Sequence, residues 1–397
     1  MIIALDARPL IRSQIQGAEQ RARNILSAWA RSGGGHQFYL LYPRTPSGAI
    51  FDESLLATLP ANFRRVEITS FAMPHSFRTA SRLLNPLARA IGRIKPDIYH
   101  SFTPDVPRVS TCAVVPTLHD LSFELDPVVS RTPAGRALHR AAVRGIKWAS
   151  RVVAVSSQTK YDIASVYRFA PERIDVVYNG IDAAFRPAPA TAIPTPKPVH
   201  LRNDILRPYL LSVGADIPRR NYARMLAAMQ IVWKTQDGAR IKWVLAGRAE
   251  WKESEIYAAA KRAGVLERVR FVFAPDNTEL ADLYRGASQT VCASSFEGFG
   301  LSVLESMACG TAVACSDMRS LREVAEEAAV YFPHDDAEAM GQAIAGLLED
   351  AEYRRQLKYR GIYRASLFTW ETAAQLTLAS LQTACAKPVP VTTVETQ

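Results

Sequence analysis

The chain has 397 residues, 48% of them hydrophobic, and its 48 Lys and Arg against 38 Asp and Glu give a formal net charge of +10. Single hydrophobic cores rarely grow past about 250 to 300 residues, so two domains are expected, and the apolar fraction supports ordinary globular folding. No run of about 18 uncharged apolar residues occurs, which argues against a spanning helix; Cys112, Cys292, Cys309, Cys315 and Cys385 form no Cys-x-x-Cys pair and read as reduced core thiols rather than disulfides or metal ligands.

Met1 runs directly into the apolar strand IIALDA, with neither a basic n-region nor an apolar h-region, so a cytoplasmic protein is expected. A loop to Gly17 and a helix over about 18–30 follow, then the strand QFYLLYP. Residues 70–95 mix basic residues with Phe71, Phe77, Leu83, Leu84, Leu87 and Ile91, a basic amphipathic segment suited to a membrane interface or to a domain helix with a solvated face. DIYHSF reads as a strand, and CAVVPTLHDLSF delivers His119 and Asp120 to a strand's carboxyl end, where open sheets place function. A basic helix over 136–150 and a strand, loop and helix follow, with Ser156 as the helix cap. The first domain is expected to close at residue 186. Residues 1–190 hold 24 Lys and Arg against 14 Asp and Glu, so the whole excess lies there. If that half binds the acceptor, its basic face suits an anionic lipid surface, with peripheral association on the inner face of the membrane, or a phosphate-bearing acceptor; no nucleic-acid partner is expected.

Prolines at 187, 189, 194, 196, 198 and 208 mark residues 187–207 as an extended, semi-rigid linker that lets two halves close over a ligand. The second domain, 208–368, opens with the strand PYLLSVGA, followed by DIPRRN and a helix to about Lys234. Strands KWVLAGR and VRFVFAP and the helix ELADLYRGAS continue an alternation that runs to about Phe332 and implies a parallel sheet covered on both faces. Residues 351–385 read as helical, and the tail 387–397 as disordered.

The richest stretch is TVCASSFEGFGLSVLESMACGTAVACS, residues 290–316. Thr290–Ala293 and Thr311–Cys315 have strand character, and Leu301, Leu304 and Ala308 recur at helical spacing up to Gly310, where a left-handed cap is expected. In such a strand, loop and helix unit the helix start offers backbone N–H groups to an anion, and Gly298 and Gly300 let the main chain approach a bound group. Glu297 and Glu305, eight positions apart, can both face one crevice.

This stretch resembles the family 4 retaining glycosyltransferases, whose hallmark is two glutamates flanking seven residues inside an EGFGL pattern. The residues that carry the resemblance here are Glu297, Gly298, Phe299, Gly300, Leu301, Glu305, Met307, Ala308, Gly310, Val313 and Ser316. Further anchors are Thr117-x-His119-Asp120-Leu121-Ser122-Phe123, similar to bacterial mannosyltransferase-like members, and the interdomain string through Asn179, Gly180 and Asp182. The resemblance implies an α/β chain of the GT-B fold, two Rossmann-like domains facing each other across a cleft, with helix 369–386 crossing back to the first. It also implies a tight turn at Asn179 and Gly180, with Asp182 and Phe185 entering the linker, and a loop at 275–278 near the nucleotide base.

Its implied chemistry is transfer of a sugar from a nucleotide sugar with retention of configuration, without metal or cofactor. His119 and Glu297 are the implied catalytic residues, with Glu297 on the sugar. Glu305 is assigned to the ribose; Arg219, Arg220 and the backbone of Gly298, Phe299, Gly300 and Leu301 to the diphosphate; and Gly17 to the donor side of the first domain. Arg220 stands where the family has lysine; arginine keeps the charge but grips phosphate through a planar fork. The second glycine after Gly17 is also missing. The best donor reading is GDP-mannose and the acceptor a lipid-linked or growing polysaccharide. The rivals are a non-catalytic sugar-nucleotide-binding subunit and a sugar-nucleotide epimerase. Nicotinamide chemistry is weaker, since no Gly-x-Gly-x-x-Gly follows the first strand.

Overall fold

The computed structural model describes residues 1–10, 16–32, 34–43, 53–68, 85–188, 205, 208–248 and 250–386. Most of the basic segment 70–95, nearly all of the proline-rich linker and the tail lie outside these residues. The chain divides into two compact units, one of residues 1–180 with 370–397 and one of residues 181–369. The division falls at Gly180, six residues before the expected 186, because Phe185 is buried in the second unit rather than entering a linker. Asn179 and Gly180 lie in irregular chain, not the expected tight turn.

In the first unit β1 (Ile2–Asp6), β2 (Gln37–Pro43), β3 (Phe63–Ile68), β4 (Ile98–Ser101), β5 (Ala113–Leu118), β6 (Val152–Ala154) and β7 (Ile174–Val176) form a parallel sheet ordered β3-β2-β1-β4-β5-β6-β7. The order reverses direction between β1 and β4, the switch point at whose carboxyl ends doubly wound sheets hold ligands. Ile3, Leu5, Ile25, Leu26, Trp29 and Phe38 build the core on one side. Helix Trp370–Ala386 completes that core with Trp370, Ala373 and Leu381. Trp29 Nε1 donates to the carbonyl of Ala374 at 3.0 Å, and Ser380 Oγ to Asp175 at 2.6 Å. Each fully buried Leu, Ile or Phe side chain contributes about 1.5–3 kcal/mol.

The second unit repeats the plan with β8 (Tyr209–Val213), β9 (Lys242–Gly247), β10 (Val269–Phe273), β11 (Gln289–Cys292), β12 (Val313–Ser316) and β13 (Ala329–Phe332), all parallel and ordered β10-β9-β8-β11-β12-β13. Its strands are near-continuous apolar runs because helices cover both faces. Met225, Met229, Trp243, Leu245, Met340 and Ile344 lie in its core. Here the switch point is between β8 and β11, so the loops after Val213 and after Cys292 share one edge of the sheet.

Candidate active site

Those two loops bring together residues 72 to 78 positions apart in sequence. Asn221 Nδ2 donates to the carbonyl of Ala293 at 3.1 Å, and Ser295 N to that of Arg219 at 2.8 Å, so the loops are laced edge to edge. Arg219 and Arg220 occupy a single 3-10 turn, Pro218–Arg220, and both reach Glu297. Arg220 Nη1 lies 2.5 Å from Oε1 and Arg219 Nη1 3.3 Å from Oε2, while Ser294 Oγ donates to Oε1 at 2.9 Å. Two cations around one carboxylate leave a net positive charge, which suits a polyanion. Arg220 Nε is buried without a hydrogen-bond partner, a spare donor beside that charge.

Burial pushes the Glu297 carboxyl up, but Arg220 and then Arg219 more than offset it, holding it below the usual carboxylate range. Burial likewise disfavours the Arg220 charge, and Glu297 reverses that, so Arg220 stays a firm cation. Arg220 reaches its place because Gly214, at φ +143°, lacks a side chain: a Cβ there would lie 2.5 Å from Arg220 Nε.

Glu305 has quite different surroundings. It is 7% exposed, on helix Leu301–Ala308, and Tyr284 Oη donates to its Oε2 at 2.9 Å. Burial raises it to about 7, against the Tyr284 hydrogen bond, with Asp182 adding to the rise and Arg220 countering it. The expected left-handed glycine at the end of this helix is Gly310, φ +73°. At its start Gly300 caps the helix with φ +101°, and a Cβ there would lie 2.4 Å from Leu321 Cδ2. Close packing against Leu321 is thus one reason for a glycine at 300. Phe299 is buried, its ring edge-on to Phe368 at 5.9 Å, and Leu301 opens the helix whose first amides precede the intrahelical ladder. Gly298 lies between Glu297 and Phe299 in the same loop. Asp276, in the loop at 275–278, caps helix Asn277–Gly286 in a reciprocal box with Glu279.

In the first unit Gly17 falls in the first turn of helix Gln16–Ser32, not in the loop the sequence suggests. His119 follows β5 directly. A Cβ on Gly17 would lie 3.8 Å from His119 Nδ1, so the two are neighbours. His119 Nε2 is 2.9 Å from the carbonyl of Phe102, and burial followed by the Arg21 charge lowers its pKa to about 4, leaving a neutral imidazole. Asp120 accepts from Ser122 N and Oγ, turning the chain after the histidine. Near the end of β1, buried Asp6 is gripped by Arg8 and Ser101, and Arg8 also reaches Asp105.

Sequence reasoning missed Tyr284, Ser294 and Arg21. Ser294 was visible inside the quoted motif. Tyr284 lies on another helix, and no local pattern singles out Arg21. Arg21 is fully buried instead, donating to Asn179 Oδ1 at 2.8 Å and to the carbonyl of Val177 at 3.1 Å, with burial lowering its pKa to about 9. Among the described residues no cluster of three or more His, Cys, Asp or Glu is placed to hold a metal ion, and no helix is long and apolar enough to cross a membrane.

Two doubly wound parallel-sheet domains in one chain are the plan of the GT-B fold. Sucrose-phosphate synthase of Thermosynechococcus elongatus superposes with a TM-score of 0.75 at 19% identity, over 98% of this chain and 100% of that one. WaaG, a glycosyltransferase involved in lipopolysaccharide biosynthesis, superposes at 0.70 and 15%, over 96% and 98%. Residues 15–185 match the model of glycosyltransferase family 4, and residues 201–364 that of glycosyl transferases group 1. The chain therefore belongs to the family 4, group 1 glycosyltransferases.

Among relatives, O-antigen chain mannosyltransferase B of Escherichia coli is 28% identical over 303 residues, 75% of this chain and 78% of that protein. The D-inositol 3-phosphate glycosyltransferase of Thermobispora bispora is 32% identical over 254 residues, 62% of this chain and 58% of its own length. That of Segniliparus rotundus is 30% identical over 61% of its length, so for the inositol phosphate enzymes the match spans less than two thirds of the relative.

Proposed function

We propose that this glycosyltransferase moves a mannosyl unit from GDP-mannose, with retention of configuration, to a lipid-linked or polysaccharide acceptor in cell-surface polysaccharide synthesis. The carrying observation is the net-cationic arrangement of Arg219 and Arg220 around Glu297 at the switch-point edge, in a chain whose relatives include an O-antigen mannosyltransferase. On this reading the two arginines and the amides opening helix Leu301–Ala308 take the diphosphate leaving group, and stabilising that developing charge is the largest catalytic term. Glu297, once its arginines turn to phosphate, accepts from sugar hydroxyls. Glu305 accepts from the ribose, and neutral His119, beside Gly17, positions the sugar near its reacting carbon. Cationic side chains supply the charge that a divalent ion supplies elsewhere, so activity should persist in a chelator; complete loss on adding one sinks that part.

The test is release of nucleoside diphosphate from a panel of GDP- and UDP-sugars with lipid-linked acceptors and with inositol phosphate. Faster turnover of a UDP-sugar overturns the donor assignment. The relatives named as D-inositol 3-phosphate glycosyltransferases favour a second reading, a small phosphorylated polyol as acceptor, and turnover with inositol phosphate alone would select it.

The first unit also presents a surface suited to an anionic membrane. On helix Pro133–Trp148, Arg136, Arg140, Arg144 and Lys147 are exposed beside exposed Leu125, Val128 and Leu138. Each cation near an anionic surface contributes about 1 kcal/mol. Co-sedimentation with vesicles rich in anionic lipid should therefore exceed that with zwitterionic vesicles and fall when Arg136, Arg140 and Lys147 become glutamine; equal binding to both vesicle types removes the membrane from the scheme.

A further inference from the structure

Glu297 and Glu305 differ in what neutralises them. Glu297 has a guanidinium at each oxygen, whereas Glu305 has no cation in hydrogen-bond contact and takes a single side-chain hydrogen bond, from Tyr284 to Oε2. Oε1 of Glu305 is left without a hydrogen bond among the described residues. A buried carboxylate with one fixed oxygen and one open oxygen is built to accept from something outside the chain. Its usefulness depends on what fixes the first oxygen.

Tyr284 is itself held on every side. It sits in the last turn of helix Asn277–Gly286, and its carbonyl accepts from Thr311 Oγ1 at 2.6 Å. Behind the buried ring stands Phe185, edge-on at 6.0 Å. The next residue, Arg285, donates to the carbonyls of Ala184 and Arg186 at 2.8 Å each, so the segment carrying Phe185 is clamped to the same helix. Burial and the neighbouring carboxylate push the Tyr284 phenol far up, so it remains a donor.

We propose that Tyr284 is a positioning residue for the donor site: it holds Oε2 of Glu305 so that Oε1 meets the ribose hydroxyls, and Phe185 holds Tyr284. The proposal rests on the assignment of Glu305 to the ribose made above. It assigns Tyr284 no contact with the substrate.

Besides Tyr284, the charged and titratable groups facing Glu305 among the described residues are Asp182 from the start of the second unit and Arg220 from the β8 loop, with Cys309 just past the end of its own helix. Burial keeps the Cys309 thiol neutral, while Asp182 disfavours the carboxylate and Arg220 favours it. The phenol hydroxyl also favours it, so removing that hydroxyl moves the carboxyl's ionisation to higher pH.

The experiment measures donor KM and kcat across roughly pH 5.5 to 9 for the parent protein, Tyr284→Phe and Glu305→Gln, with a folding check by circular dichroism. In the parent, KM should rise as pH falls through about 7. Loss of one hydrogen bond to a charged group predicts a KM about tenfold higher in Tyr284→Phe, with kcat within about twofold and the inflection displaced upward. Glu305→Gln should raise KM at least as much and abolish the inflection. Inhibition by a nucleoside diphosphate should exceed that by its 2′,3′-dideoxy form in the parent, and Tyr284→Phe should shrink that ratio, which loosened packing alone would leave alone.

If Glu305→Gln raises KM while Tyr284→Phe leaves KM, inflection and ratio unchanged, the positioning role is wrong and the ribose assignment stands. An unchanged KM in Glu305→Gln removes the ribose assignment and this proposal with it. Phe185→Leu keeps the hydroxyl but withdraws the ring behind it, and should raise KM by a smaller factor. It carries the test should Tyr284→Phe fail to fold, and an unchanged KM there overturns the proposal.

Discussion

Glu297 and Glu305 lie one loop apart, yet their neighbours give them opposite titration behaviour. Glu297 is ionised across the neutral range because two arginines more than offset its burial. Replacing it with glutamine strands those cations, and kcat/KM should fall about 10²- to 10³-fold, the loss typical of removing a group that acts on developing charge. Steady-state kinetics at neutral pH measure it; a change under threefold would remove Glu297 from the site. For Glu305 the folded pKa, about 7, lies above the ordinary carboxyl value of 4.5, so the folded state holds the extra proton between them. Stability contributed by that proton is present below about pH 4.5 and lost as pH rises through about 7, a swing of order 3 kcal/mol. Glu305→Gln lacks the swing, so its Tm relative to the parent should climb from pH 5 to pH 8; a constant difference contradicts the buried, raised carboxyl. The two glutamates were legible in the sequence as a pair. Their different partners were not, because Tyr284 and the arginines come from other elements and no local spacing announces them.

At the scale of elements, the strand, glycine loop and helix around Glu297 were legible because the apolar spacing and the glycines that mark them are local signals in the sequence. Gly310 ends helix Leu301–Ala308 in the left-handed region, as its place after the apolar repeat suggested. Gly300 is another matter, since Leu321, which fills the space of its missing side chain, is 21 positions away. Gly300→Ala meets both a positive φ and that contact, and should cost about 2–4 kcal/mol, read as a drop in denaturation midpoint. Shortening the neighbour, Leu321→Ala, in the same chain should restore only the packing share. Ser156 behaves as its sequence position indicated: its hydroxyl accepts from Thr159 N at 3.0 Å, and Ser156→Ala should cost about 1 kcal/mol by the same measurement. Arg21 shows where such reading stops. Helical periodicity gives an arginine no reason to be buried, and only the fold reveals that Asn179 and Thr377 receive it.

Over the whole molecule, alternating strand and helix made two parallel-sheet domains legible, while prolines drew the expected boundary too far downstream. Proline marks where a chain cannot ladder, not where a core ends. Phe185 and the carbonyls of Ala184 and Arg186 belong to the second core through Tyr284 and Arg285. Helix Trp370–Ala386 lies in the first unit, where Trp370 and Leu381 pack with Ile25 and Trp29. A chain stopped after Thr369 should thus lose the first unit and keep the second, which limited proteolysis followed by mass mapping would show; equal resistance of both halves contradicts this. The same helix sets a timetable for synthesis. A nascent chain can finish its later unit once residue 369 clears the ribosome, but its earlier unit must wait for residue 386, with the bed for that helix bare meanwhile. The half made first is the half finished last, and a chaperone or a stalled translation complex would find its target there.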